Sequence, residues 1–226
     1  MLIYIVLYDF HSHSFHSDGV LSPMELIRRA AVNGYKVLAI TDHLALGSLA
    51  RVIQEVSRDC ELARSHWNIL AVPGVELTHL PYKAINEAAR EAKELGAWIV
   101  VVHGESPVEP VEEGTNLAAV KSPYVDILAH PGHITPQVAK LAAKNQVFIE
   151  ITARRGHCIT NSHVAKVAGE AGALMLLNSD AHEEDDLLNE HLAKDILRQA
   201  GISNRKFKQV LELNPLKLMQ RIGRSL

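Results

Sequence analysis

Short apolar runs rich in β-branched residues alternate with stretches of helical period along the 226-residue chain. That is the pattern of βα units feeding a parallel sheet. The runs predict strands near residues 3–9, 36–41, 69–75, 97–102, 125–129, 147–151 and 174–178. The helical stretches between them carry start and stop chemistry. In "SPMELIRRAAVNG", Ser22 caps, Pro23 takes the first helical position, Glu25 follows three residues after the cap, and Gly34 ends the run. "YKAINEAAREAKELG" runs to Gly96, "TPQVAKLAAKNQ" opens on Thr135 and Pro136, and "NSHVAKVAGEAG" opens at Asn161 or Ser162 and closes near Gly172. Residues 104–123, "GESPVEPVEEGTNLAAVKSP", break the rhythm with three prolines and several acids, and read as a long βα loop whose tip would serve as a lid. Beyond residue 183 the pattern is helical and polar, with "EEDD" as a solvated helix start. No linker, charge block or low-complexity run divides the chain, so residues 1–226 are read as one α/β domain.

Composition narrows the function classes. A net charge of −3 and a pI near 6.5 give no basic surface for a nucleic-acid backbone. Cys60 and Cys158 lie far apart and form no CxxC pair, which argues against a disulfide framework or a cysteine zinc site and for a reducing cytoplasm. "MLIYIVLY" is too short to span a bilayer and lacks a basic leader, so it is read as a buried strand with no membrane attachment.

Thirteen histidines change the picture, because of where they fall. Strand one runs into "DFHSHSFHSDG" with His11 and His13; strand two into "TDH" with Asp42 and His43; strand three into "PGVELT" with Glu76. Strand four ends in His103, strand five in "AHPG" with His130, strand six in Glu150 and "TARR", and strand seven in "NSDAH" with Asp180 and His182. In a parallel barrel the carboxyl ends of all strands meet on one face. Imidazole and carboxylate together suit zinc, iron or manganese, and a carboxylate can bridge two ions. In extended chain, residues two apart point the same way, so His11 and His13 can grip one ion, and Asp180 and His182 repeat that spacing. Asp42 reads either as a ligand or as a group that bonds loop amides or orients His43. Glu150 reads equally as a ligand-face or as a structural interior carboxylate. His79 and His133 fit loop or helix-start roles as well as the site, and His66, His163 and His191 fit helix surfaces.

The ordered motifs "DFHSHSFHSDGVLSPMELIRRAAVNGYKVLAITDH", "PGVELT", "VVHGE", "DILAHPG" and "NSDAH" resemble those of the PHP (polymerase and histidinol phosphatase) family across residues 9–182. The resemblance implies a distorted seven-stranded (β/α)7 TIM-like barrel, a centre of three divalent ions (Zn, Mn or Fe), and phosphoesterase activity. It implies a first ion on His11, His13, Glu76 and Asp180, a second on Glu76, His103 and His130, and a third among Asp18, His43 and His182. Relatives supply either a histidine or the aspartate of "SDG" in the first loop. The resemblance favours Asp18 over His16, because "HSHSFHSDG" aligns with the family's common HxHxxxSDG form, which leaves His16 substrate-facing or supporting. A metal-activated hydroxide would attack phosphorus in line. Asp180, His182 and Arg154 would be catalytic, and Arg154 and Arg155 would clamp the phosphate with paired donors. The implied substrate is a small phosphate monoester, histidinol-phosphate-like or a nucleotide. The alternatives are a phosphodiesterase or exonuclease on short oligonucleotides, and a noncatalytic metal-binding subunit. An amidohydrolase or deaminase shares the HxH motif, but adds an eighth strand and a metal-bridging lysine at a strand end, for which this chain offers no counterpart.

Overall fold

The computed structural model describes residues 6–223. The chain runs β1 (Leu7–Asp9), α1 (Pro23–Val32), β2 (Tyr35–Ile40), β3 (His43–Leu44), α2 (Leu46–His66), β4 (Leu70–Leu77), α3 (Ile85–Glu94), β5 (Ile99–His103), α4 (Thr115–Lys121), β6 (Ile127–Ala129), α5 (Pro136–Asn145), β7 (Phe148–Thr152), α6 (Asn161–Ala171), β8 (Met175–Asn178), α7 (Glu190–Gln199) and α8 (Asn214–Arg221). The parallel order is β1-β2-β4-β5-β6-β7-β8. The short β3 is the tail of the second stave. Ile40 lies opposite Pro73 and His43 opposite Glu76, so the register against β4 continues across a break at Thr41 and Asp42. The result is the expected seven-stranded, nearly closed barrel.

Its seam is closed beyond the strand ends. Ser12 bridges Ala181, the His13 amide donates to the Ala181 carbonyl at 2.8 Å, and the Asp180 amide donates to the His11 carbonyl at 3.0 Å. Side chains complete the closure: Asn178 Oδ1 accepts from the Phe10 amide (3.0 Å), and Asp9 Oδ1 accepts from the Ser179 amide (3.1 Å). The segments that close the barrel are therefore the ones carrying the histidine motifs.

Alternation along the strands sorts the core into two layers. Tyr8, Val37, Ala39, Val72, Ile99, Val101, Ile127, Phe148 and Leu176 fill the barrel, with Leu218 and Met219 of α8 packed among them. The intervening Leu38, Ile40, Val75, Val100, Val102, Leu128 and Ile151 pack outward against the helices. Two residues at a time, the inward positions pass from apolar to polar: Val72 leads to Glu76, Ile99 and Val101 to His103, Phe148 to Glu150, and Leu176 to Asn178. The barrel is thus apolar below and polar at its mouth.

Helix starts follow the sequence where caps exist. Ser22 accepts from the Glu25 amide, Thr135 from the Val138 amide, and Gly172 ends α6 with φ 71°. Three differences have local causes. The 21-residue α2 escapes prediction because Ala45 makes no side-chain cap and Trp67, not glycine, ends it. The loop predicted over 104–123 contains α4, which starts after Gly114 at φ 98°. "EEDD" forms only a 3-10 turn, Glu184–Asp186, and the helix waits for the Asn189 cap. Asp186 is turned inward there and bonds the His182 amide. Finally, the start of the strand predicted at 3–9 lies outside the described residues.

Asn178 tests the seam, since it also donates to Glu150 at 2.8 Å and is fully buried. Asn178→Ala strips partners from a buried amide and a buried carboxylate and should destabilise the fold by about 2–5 kcal/mol. Gly47→Ala, where an added Cβ meets nothing within 4 Å, should stabilise slightly. Urea unfolding midpoints of the two variants check both signs.

Candidate metal centre

The polar mouth gathers side chains from every stave around Glu76, which is fully buried. Its two oxygens face different neighbours. Oε2 lies 3.3 Å from His11 Nε2, 3.6 Å from His13 Nε2 and 2.7 Å from His43 Nδ1. Oε1 lies 3.6 Å from His130 Nε2. Asp180 repeats the division, with Oδ1 at 3.1 Å from His13 Nε2 and Oδ2 at 3.6 Å from His130 Nε2. Asp18 comes in from the rim, 3.0 Å from His182 Nε2 and 3.7 Å from His43 Nε2. The donor groups that result are His11–His13–Glu76, His11–His130–Asp180, Glu76–His103–His130 and His13–Asp18–His43–His182.

Supporting bonds choose which imidazole nitrogen stays bare. His11 Nδ1 donates to Glu150 (2.8 Å), His103 Nδ1 to the Gly104 carbonyl (3.0 Å), and His182 Nδ1 to the Asp180 carbonyl (3.0 Å). Each leaves Nε2 for the centre, the usual arrangement of a metal-binding histidine. Gly104 is required beside His103, because a Cβ there would sit 2.3 Å from the Ala129 carbonyl oxygen. His130 and Asp180 hold positive φ angles of 23° and 55°, the backbone strain that functional sites retain.

No hydrogen bond reaches His11 Nε2, either nitrogen of His13, either oxygen of Glu76, His103 Nε2 or His130 Nδ1, all buried. Folded proteins pair nearly all such atoms, and an uncompensated one costs about 1–3 kcal/mol. Bare imidazole nitrogens converging on carboxylate oxygens are compensated by cations. The residues present therefore fit divalent ions.

The electrostatics agree. Burial, joined by the charges of His43 and His11, pushes His13 well below its ordinary value, which keeps it a neutral donor. Burial works against charge on His43 too, but the Glu76 carboxylate outweighs it and lifts His43 to about 9. Burial opposes the Glu76 carboxylate, while His11 and His43 hold it well below the usual range, so it stays anionic.

Of the residues predicted from sequence, His11, His13, Asp18, His43, Glu76, His103, His130, Asp180 and His182 meet here. His16 does not; its Nδ1 turns to Glu55 of α2 at 3.5 Å. Asp42 serves the first loop, accepting from the Ser14 amide and from the Ser14 and Ser17 hydroxyls. Glu150 orients His11. Arg154 reaches the rim through Asp186 (2.9 Å), whose same oxygen accepts the His182 amide. Arg155 is exposed and makes no hydrogen bond or ion pair among the described residues. His133 packs on His163, away from the donor groups. Sequence reasoning missed Glu109, His157, Thr78 and Asn178. Asn178 was signalled by strand parity with Leu176, whereas Glu109 and His157 lie in loops with no periodicity to mark them.

A seven-stranded α/β barrel with a polyhistidine, carboxylate-bridged mouth defines a class of metal-centred proteins. The PHP domain model matches residues 9–207, and the chain belongs to that family. It is 46% identical to "Uncharacterized protein MJ1295" of Methanocaldococcus jannaschii, over 95% of this chain and 99% of that protein. It is 32% identical to a probable phosphatase of Caldanaerobacter subterraneus, over 77% of this chain and 75% of the relative. Among solved structures, the histidinol phosphate phosphatase of Lactococcus lactis, complexed with zinc, L-histidinol and phosphate, shares the fold with a TM-score of 0.62 at 16% identity. That match covers 87% of this chain and 94% of the other.

Two measurements check the centre. Asp18→Ala should cost one bound ion per chain by elemental analysis, and His16→Ala none. Because His43 is raised to about 9, an ion bound there displaces a proton. Affinity for Mn²⁺ should then rise between pH 6.5 and about 9 and level off above. The proton's own contribution to the ion-free fold has the opposite sign: complete below pH 6.5, lost as pH climbs through about 9. Chelator competition across that window reads the affinity.

Proposed function

We propose that this protein hydrolyses a small phosphate monoester, of histidinol-phosphate or nucleotide type, at a centre of three divalent ions. The observation that carries this reading is the set of buried, unpaired nitrogen and oxygen atoms around Glu76. In this reading the first ion takes His11, His13, Glu76 and Asp180, the second Glu76, His103 and His130, and the third Asp18, His43 and His182. Family membership and the probable-phosphatase relative support the reaction class. The fold shared with the Lactococcus enzyme is consistent with it.

Bound divalent ions supply acidification of a water and neutralisation of charge on phosphate oxygens. The chain's residues supply the rest. Glu76 keeps two donor groups in fixed relation, and Glu150, the Gly104 carbonyl and the Asp180 carbonyl lock three imidazoles in place. Beside them a cavity of about 400 Å³, lined by Ser17, Asp18, His43, Ser48, Thr78 and Glu109 among others, matches a small organic phosphate in size. Its Ser17, Ser48 and Thr78 hydroxyls donate to Asp42 and to the Ala45 and Glu76 carbonyls, which leaves their oxygens as acceptors for an ester's polar groups. Arg154, held by Asp186 beside His182, has N–H groups to spare for phosphate oxygens. Exposed Arg155 is a weaker candidate for the same role.

No helix among the described residues is long and apolar enough to cross a membrane. Both cysteines are free, which supports a reducing, cytoplasmic setting in this reading.

The test is phosphate release from a panel of phosphomonoesters, histidinol phosphate and nucleoside monophosphates included, with Mn²⁺, Zn²⁺ or Fe²⁺ supplied. A selective monoester should be cleaved, and His103→Ala should lower kcat/KM at least about 100-fold. Arg154→Ala should cost about 10- to 100-fold, the worth of one or two charge-assisted hydrogen bonds. Silence toward monoesters with cleavage of short oligonucleotides would move the assignment to a phosphodiesterase.

A further inference from the structure

The loop between β5 and α4 carries a carboxylate that the three-ion scheme leaves unused. Its base is pinned: Glu105 Oε1 accepts the Gly114 and Asn116 amides, and Asn116 bonds the Glu105 amide and the Pro131 carbonyl. At the tip, Glu109 is divided between two sides. Oε1 takes a hydrogen bond from His79 Nε2 at 3.1 Å, while Oε2 turns inward, 3.3 Å from His103 Nε2 and 3.7 Å from His157 Nε2. His157 enters from the loop after β7. There Gly156, at φ 89°, brings the backbone to where a Cβ would meet the Val108 side chain at 3.6 Å. The two loops thus run close to each other.

His157 is nine-tenths buried, its Nδ1 has no hydrogen-bond partner, and its ring lies 4.2 Å from that of His130. His103 Nε2 is likewise buried and unpaired. Donor atoms of His103, Glu109 and His157 lie within 4.8 Å of one another, as do those of Glu76, His103 and His130. The two groups share His103. Its Nδ1 is committed to the Gly104 carbonyl, so only one nitrogen remains and it can hold only one ion. The two groups therefore cannot each hold an ion of their own through His103.

We propose that Glu109 and His157 are ligands of the second ion, completing with Glu76, His103 and His130 a five-donor set that the β5–α4 loop helps to close. The proposal rests on the metal-dependent reading above and adds two ligands outside its motif residues. It makes that loop an ion-coupled lid: Glu109 brings negative charge to the ion, and the ion holds the tip down.

Titration of the stripped protein with Mn²⁺ alone, without substrate, tests this in four chains: wild type, Glu109→Gln, His157→Gln and His103→Ala. Glu109→Gln and His157→Gln should each weaken one ion about 10- to 100-fold and leave the others unchanged. Mn²⁺ should slow amide exchange across residues 105–113 in the wild type and not in Glu109→Gln. Glu109 is partly exposed, so its substitution leaves the core intact, and wild-type Mn²⁺ affinity in Glu109→Gln overturns the proposal whatever His157→Gln does. The His103→Ala chain separates the two levels. If it loses an ion while Glu109→Gln does not, only the added ligands fail; if it too keeps every ion, the metal-dependent reading of this site fails with them.

Discussion

A buried carboxylate with no hydrogen bond to either oxygen is the constraint on which this molecule turns. Glu76 sits where a strand that is apolar for most of its length reaches the barrel mouth, and four imidazoles from three other segments face it. Left to themselves, such groups would cost the fold several kcal/mol. Cations at the mouth turn that cost into binding energy, so ion affinity and fold stability are linked through the same atoms. The centre is also part of the barrel's closure, because His11, His13 and Asp180 lie on the two segments that zip β1 to β8.

Around that constraint the structure is economical in its use of the backbone. Carbonyls of Gly104 and Asp180 fix imidazoles that the neighbouring side chains present. Glu150, Asn178 and the Phe10 amide form a continuous chain of bonds from His11 to the seam. A change in that chain would be felt both as lost stability and as a displaced ligand. Asp186 plays a similar part at the rim, coupling Arg154 to the turn that follows His182.

Chemistry at the mouth is graded from depth to surface. Glu76 and His11 are fully buried, His43 is partly covered, and Asp18 is more than half exposed. The side of the centre nearest solvent is therefore the Asp18 and His43 side, next to the cavity. The acidic β5–α4 loop stands across that approach, and Glu109 faces the cavity as well as His103.

The fold was legible in the sequence because its two periods are local. Alternation along 97–102 already announces which of Ile99, Val101 and His103 share a face, and the Ser22 and Thr135 caps mark helices without help from distant residues. Where local chemistry is silent, as at the uncapped start of α2 or in the turn of "EEDD", packing decides. The candidate metal-binding residues were legible for the same reason, since parallel strands deliver their ends to one face. What only the tertiary structure decided is direction and partnership: that His16 turns to Glu55 while Asp18 turns inward, that Glu150 holds a histidine, and that Glu109 and His157 meet. Loop side chains have no period to fix their direction, and a contact between residues 48 positions apart exists only once the barrel has brought their loops together.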